Sequence, residues 1–411
     1  MRRIILIAFA ISLFHNFAIA QWVQQNSGVS SSFADVQFLN PDTGWICGAN
    51  GTILKTTNAG LNWIIQNSGV TETLYDLHVV DANTVYCVGI FETILKTTNG
   101  GNTWIIIRGN VNPGKFFYGS NFINANTGWI CGSGQWVLRT TNGGNSFDSS
   151  FVPATFYSVY FKDNINGLIA GQAGSLYQST NGGANWVQIN VLNETAEFFR
   201  MSFIGNSGWI AGWQNRKVYK TTNFGTTWDS LTRIPAIENW SATCINFSSL
   251  NTGWACGGSG NLYKTTDGGY NWFKQAIPVF TAYSSVFFIN DSIGWCGGNT
   301  GTILHTATGG QIVGIGSTQI VNTKEYNLEQ NYPNPFNPKT TIKYHISSNN
   351  TNVKLSVYDF SGREISVLVR SKNNIGIYEV DFDGKNLASG VYFYTLEANE
   401  IRTTKKMILI K

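Results

Sequence analysis

Charge is scarce in this sequence: Asp, Glu, Lys and Arg make up 12% of its 411 residues, against 14% aromatics. That balance excludes a disordered or solvated, highly charged chain. The formal net charge is +4, yet residues 21–323 hold 13 Lys and Arg against 14 Asp and Glu. A body so close to neutral lacks the clustered positive field that nucleic acid requires. Beyond the N-terminus there is no run of about 18 apolar residues, so no membrane span is expected there. The 4 His are His15, His78, His305 and His345. The last three fall in separate units of the chain, which leaves no zinc-ligand spacing. Asp381-Phe382-Asp383-Gly384 lacks the rest of a calcium loop. No metal, cofactor or catalytic constellation is therefore assigned. Convincing helical periodicity is absent too, and 44 Gly beside 14 Trp point to short strands and tight turns.

Residues 1–20 have the form of a secretory signal peptide. Arg2 and Arg3 open it, Ile4 to Phe14 form the apolar run, and Ala18-Ile19-Ala20 offers a small-x-small cleavage site. The mature chain is expected to start near Gln21, outside the cytoplasm.

The body repeats. Thr43-Gly44-Trp45-Ile46-Cys47-Gly48 is followed by Ile53-Leu54-Lys55-Thr56-Thr57-Asn58-Ala59-Gly60-Leu61-Asn62-Trp63, and this unit recurs seven times. Its starts fall at Trp45, Val85, Trp129, Leu168, Trp209, Trp254 and Trp295, with gaps of 40, 44, 39, 41, 45 and 41 residues. A period near 42 with four strand-like segments per unit fits a propeller blade. The fold expected is all-β, a seven-bladed β-propeller over residues 21–313. The seventh unit stops at Thr306-Ala307-Thr308-Gly309-Gly310 without its final Trp strand. Gln21-Trp22-Val23-Gln24-Gln25-Asn26-Ser27-Gly28 resembles Asn62-Trp63-Ile64-Ile65-Gln66-Asn67-Ser68-Gly69, so the segment from Trp22 is expected to close the ring.

The turn Thr56-x-Asn58-x-Gly60-x-Asn62-Trp63 resembles a degenerate Asp-box of the sialidase/BNR and sortilin-like propellers. Its pairing with Thr-Gly-Trp resembles the Ycf48/Hcf136-type propellers, over roughly residues 22–310. The resemblance implies the fold, with the box as a structural turn.

All 14 Trp precede residue 296, and 3 of the 8 Pro lie within Pro333–Pro338. This break marks a linker over 314–324 and a second module over 325–411, where alternating apolar residues indicate an Ig-like β-sandwich. The motif Asn331-Tyr332-Pro333-Asn334-Pro335-Phe336-Asn337-Pro338, then Val357-Tyr358-Asp359 with Gly362-Arg363, then Leu387-Ala388-Ser389-Gly390-Val391-Tyr392, resembles the C-terminal sorting domain of type IX secretion. That implies the type IX machinery as a partner and a secreted or outer-surface location reached through the periplasm. The expected sorting residues are Tyr332, Pro333, Asn334, Pro335, Phe336, Asn337, Pro338, Gly362 and Gly390.

Binding residues are sought where the repeat fails on the face that carries the blade-to-blade connections. Phe91, Trp136, Trp213, Arg216 and Trp240 are the candidates, with a glycan or a surface protein as ligand. Blade-specific packing accounts for these residues equally well. A basic position precedes the box Thr in most units (Lys55, Lys96, Arg139, Lys220, Lys264, with His305 in the seventh), and is read as a solvated face. Cys47, Cys87, Cys131 and Cys256 occupy one repeat position, expected to be too separated to bridge; a Cys244–Cys256 bond stays open. Two functions remain: a non-enzymatic binding or scaffold module, or a secreted glycoside-active enzyme, sialidase-like or otherwise, built on the same ring.

Overall fold

The computed structural model describes residues 22–310 and 327–411, apart from 110, 190–195, 214–216, 232–241, 259, 347–348, 375 and 400. The proposed signal peptide and linker lie outside the described residues. Contacts divide the chain into two compact units, 1–315 and 316–411.

The first unit is a seven-bladed propeller of four-stranded antiparallel sheets. After β1 (Val23–Gln25), blade one comprises β2 (Phe33–Phe38), β3 (Gly44–Gly48), β4 (Ile53–Thr56) and β5 (Ile64–Gln66), running from the axis outward. Inner strands mix buried and half-buried positions, as in Phe33–Phe38, while second strands such as Gly44–Gly48 and Gly128–Gly132 are buried throughout. The last blade has inner strands Tyr283–Phe288, Gly294–Gly298 and Ile303–Thr306, and β1 is its outer strand. The register is Val23↔His305, Gln24↔Leu304 and Gln25↔Ile303, so the two ends of the repeat close the ring as expected.

Stacked aromatics hold the blades together. The second-strand Trp of one blade lies flat on the Phe that ends the next blade's inner strand: Trp129 on Phe161 at 3.5 Å, Trp254 on Phe288 at 3.3 Å and Trp295 on Phe38 at 3.4 Å. That same Phe covers the Gly before its own blade's Trp, where a Cβ would collide with the ring, as at Gly44 against Phe38 and Gly128 against Phe122. Blade two supports this account. Its inner strand ends in Val79 instead of Phe, and there the glycine is replaced by Val85.

The basic repeat position is not a solvated face. Lys55 donates to the Gly100 carbonyl (2.6 Å), Lys96 to Gly143 (2.9 Å) and Lys264 to Gly309 (2.9 Å), each reaching the box turn of the next blade. Their ammonium groups sit about 5 Å over the rings of Trp45, Tyr86 and Trp254. His305 instead stacks on Trp295, at 5.0 Å. The cysteines are unbridged, as expected, and no Cys244–Cys256 bond forms. All six are buried free thiols. Cys47 and Cys87 of adjacent blades touch, and Cys256 meets both Cys244 and Cys296. The register sets Val88, not Cys87, level with Cys47, and Gly297, not Cys296, level with Cys256, so the neighbouring thiols are offset by one residue in the repeat.

The second unit has a three-stranded sheet (Asn327–Leu328, Lys339–Ile346, Gly376–Asp383) and a four-stranded sheet. The latter orders Glu364–Asn373, Thr351–Tyr358, Gly390–Ala398 and Ile401–Leu409 side by side. Phe336, Ile342, Tyr344, Leu355, Tyr394 and Met407 share its core.

Candidate functional site

The two faces of the propeller are built differently. On one, the box turns repeat a single hydrogen-bond pattern. Thr56 Oγ1 accepts from Gly60 N (2.9 Å), and Asn58 Oδ1 accepts from Asn62 N (2.9 Å). The same pair of contacts recurs at Thr97 and Asn99, Thr140 and Asn142, Thr221 and Asn223, and Thr265 and Asp267. These side chains are fully used by the turn, so this face offers little for a ligand.

The opposite face carries the blade-to-blade connections and the mouth of the axial channel. The second residue of each inner strand stands at its rim. In chain order these residues are Ala34, Tyr75, Tyr118, Tyr157, Phe199, Thr243 and Ser284. Four consecutive blades thus supply an aromatic and the other three a small residue. The rings form one arc: Tyr75–Tyr118 at 5.2 Å, Tyr118–Tyr157 at 5.3 Å and Tyr157–Phe199 at 4.6 Å. The arc continues from Phe199 to Trp213 at 5.8 Å, and a branch runs from Tyr118 through Phe116 (6.1 Å) to Phe91 (6.4 Å). A cavity of about 590 Å³ lies between the arc and the small side, lined also by Arg200, Thr243, Tyr283 and Ser284.

Beneath the mouth, the next inner-strand residue of three blades forms an ion cluster. Arg200 Nη2 lies 3.1 Å from Asp35 Oδ1 and 2.9 Å from Asp76 Oδ1, reaching from blade five to blades one and two. Ser285 donates to Asp35 (2.7 Å), and Ser120 Oγ to Asp76 (2.7 Å). Both carboxylates are buried, while about a quarter of the Arg200 side chain stays open to the channel. Burial pushes Asp76 up to about 7, although Arg200 pulls it down. Burial opposes the charge on Arg200, but Asp35 and Asp76 outweigh it and raise its pKa. His78, farther along the channel, is lowered to about 4 by burial and is neutral. Among the described residues no group of three or more His, Cys, Asp or Glu could hold a metal ion.

Of the binding residues expected from sequence, Trp213 stands at one end of this arc and Phe91 on a branch from Tyr118. Trp136 does not join it; it packs edge-on against Phe151 in its own blade, at 5.4 Å. Arg216 and Trp240 lie outside the described residues. Sequence reasoning missed Tyr75, Tyr118 and Tyr157. Their signal was present as an aromatic at one repeat position in four successive units. It lies within strands, where alternation alone does not say which residue faces the mouth.

In the second unit, the motif from Asn331 to Pro338 fastens the first strand region to the last. Asn331 Nδ2 bonds the Pro333 carbonyl (3.1 Å) and Thr340 Oγ1 (2.9 Å), and Asn334 Oδ1 accepts from Ile408 N (2.9 Å). Phe336 is buried, whereas Tyr332 is 82% exposed. Asp359 accepts from Ser361 and Arg363, and the turn it forms has Gly362 at φ +84° and an exposed Phe360. Gly390 opens the strand Gly390–Ala398.

Residues 62–152 and 149–239 match the family described as photosynthesis system II assembly factor YCF48, and 330–411 match the secretion system C-terminal sorting domain. A photosystem II assembly lipoprotein, Ycf48 of Synechococcus, is 32% identical over 120 residues. That match covers 28% of this chain and spans about a third (34%) of that relative. Among solved structures, YCF48 bound to D1 peptide superposes with a TM-score of 0.59 at 17% identity, over 70% of this chain and 97% of that one. PorZ, a surface component of the type IX secretion system of Porphyromonas gingivalis, gives 0.52 at 15% identity. It covers 93% of this chain and 60% of PorZ. The molecule is a Ycf48-like propeller followed by a type IX sorting domain, and the tail directs it to the cell surface or out of the cell.

Proposed function

We propose that this exported Ycf48-like propeller is a non-enzymatic recognition or scaffold module whose ligand enters the mouth of the axial channel. The observation that carries the reading is the arc of rings across four consecutive blades, at a position where the other three blades keep small residues. Contiguous aromatics in a concave, partly polar mouth are the usual makings of a binding anchor. A structural role alone would not gather them on one side of a sevenfold repeat.

The ion cluster argues against a glycosidase reading. General acid and base catalysis needs carboxylates that reach the substrate. Asp35 and Asp76 are buried beneath Arg200 and engaged by it and by two serines. The peptide bound by YCF48 shows that a propeller of this type can serve as a docking surface. Phe91, Trp213 and Arg216 belong to the same proposal as its outer contacts, with Trp136 and Trp240 as accessory positions. Tyr332 to Pro338, Gly362 and Gly390 are proposed to shape the tail that the secretion machinery reads. Tyr332 and Phe360 are its exposed aromatics.

The test uses the secreted mature protein, fluorescently labelled and incubated with cells of the producing bacterium and of its neighbours. Retention that falls when Tyr118→Ala and Tyr157→Ala are combined supports the reading. Equal retention would sink it. Turnover of chromogenic glycosides, abolished by Asp35→Asn, would favour the enzyme.

A further inference from the structure

The chemistry of the mouth narrows the ligand class, given the binding reading above. Arg200 is the one charged side chain lining the cavity among the described residues, and two buried carboxylates engage it. Among the described residues, a ligand entering there meets no uncompensated charge in the lining, and beyond the lining the Glu197 carboxylate acts on Tyr157. It does meet phenol groups. The hydroxyls of Tyr75, Tyr118 and Tyr157 are at the rim, and no hydrogen bond to a described residue satisfies them, whereas the phenols of Tyr86, Tyr283 and Tyr394 each donate to a carbonyl. Burial raises the pKa of all three rim tyrosines, to about 12 at Tyr118, so they stay neutral donors.

The branch of the arc that ends at Phe91 is also held under strain. In blade one the connection-face turn is Asn50-Gly51, both with positive φ. Blade two puts Phe91 at φ +56° and Glu92 at φ +59°, a backbone that costs non-glycine residues free energy. Glu92 is buried and ion-paired to Arg108, which fixes the turn and brings Phe91 beside Phe116. A positive φ at the Phe91 position is general to the repeat, recurring at Asn50, Ala173 and Thr300, so what is particular to blade two is Glu92 in place of the Gly51, Gly174 and Gly301 of other blades.

We propose that the mouth binds an uncharged oligosaccharide. The apolar faces of its sugar rings lie along the arc, and its hydroxyls accept from the tyrosine phenols. Rings spaced 4.6–6.4 Å apart over four blades suit an extended chain rather than a single sugar. Among the described lining residues there is no cation besides the engaged Arg200, which disfavours sialylated or uronic glycans.

Isothermal titration of the mature protein tests this with neutral cello-, malto-, xylo- and manno-oligosaccharides, and with polygalacturonate, oligolysine and a proline-rich peptide as comparators. At least one neutral chain should bind, with little dependence on salt. Tyr157→Ala should weaken it by at least about tenfold. Tyr157→Phe, which keeps the ring, should lose only part of that. The pair Phe91→Asn with Glu92→Gly, which gives blade two the turn of blade one, should weaken binding while the melting temperature holds or rises; that outcome separates a binding defect from misfolding. Binding confined to polygalacturonate, oligolysine or the proline-rich peptide would overturn the sugar assignment. So would failure of every neutral chain while arc-dependent retention on cells persists, and in that case the binding reading itself would stand. Cell retention indifferent to the arc would remove both.

Discussion

One repeat builds two faces of this propeller, and they have diverged unequally. On the box face, Thr and Asx side chains close the same turn in blade after blade, and Lys55, Lys96 and Lys264 clamp each turn to its neighbour. On the connection face, the corresponding turns read Asn50-Gly51 in one blade and Phe91-Glu92 in the next, and the rim residue changes from Ala34 to Tyr75. The box face is uniform because its side chains satisfy the backbone of a tight turn, and few residue types can do that. The rim is free of that demand, so its composition records something else. On the reading proposed above, stability belongs to one face and recognition to the other.

The largest expected effect lies between the blades. Trp254→Ala removes a fully buried ring stacked on Phe288 and should cost about 3–5 kcal/mol. Urea unfolding followed by circular dichroism would measure it. Next is Arg200→Met, which leaves Asp35 and Asp76 buried without their cation. About 3 kcal/mol is expected at neutral pH, with part of it recovered on acidification as the carboxylates take up protons.

The same cluster sets a pH dependence. Asp76 titrates near 7 in the folded protein, above its ordinary value of 3.8, so between these values the native state holds the extra proton. Its contribution to stability is complete below about pH 4 and falls as pH rises through 7. Asp76→Asn should flatten that slope in a series of thermal melts.

Smaller still is Asn58→Ala on the box face, which frees one backbone N–H and one hydroxyl partner in a turn open to water. About 1 kcal/mol is expected, or a few degrees of melting temperature. Smallest is the Phe91→Asn, Glu92→Gly pair, predicted to be neutral or stabilising by up to about 1 kcal/mol because it relieves two strained residues. A loss of stability there would mean that the turn is structural, and the contrast between the faces would weaken.

Much of the fold was legible in the sequence because the repeat is strict where packing is strict. The period, the blade count and the closure through Trp22 follow from Gly-Trp and box spacing, and the register Val23↔His305 agrees. The tail was legible for a different reason, a run of motifs in fixed order. What stayed hidden depends on distances across the ring. Arg200, Asp35 and Asp76 are separated by 165 and 124 residues and meet only because inner strands converge on the axis. The Lys clamps were misread for the same reason, since each pairs one blade with the next. The rim tyrosines were readable in principle, as an aromatic at one repeat position, but strand alternation alone does not say which residue faces a mouth.

The most direct measurement compares Tyr157→Ala with Asn58→Ala in two assays on the mature protein, retention on cells and melting temperature. The division of labour between the faces predicts a crossing. Tyr157→Ala should lose most of its retention and melt close to wild type, while Asn58→Ala should melt a few degrees lower and be retained as wild type. If Tyr157→Ala instead lowers the melting temperature and leaves retention intact, the aromatic arc is packing, and the mouth is not the binding site.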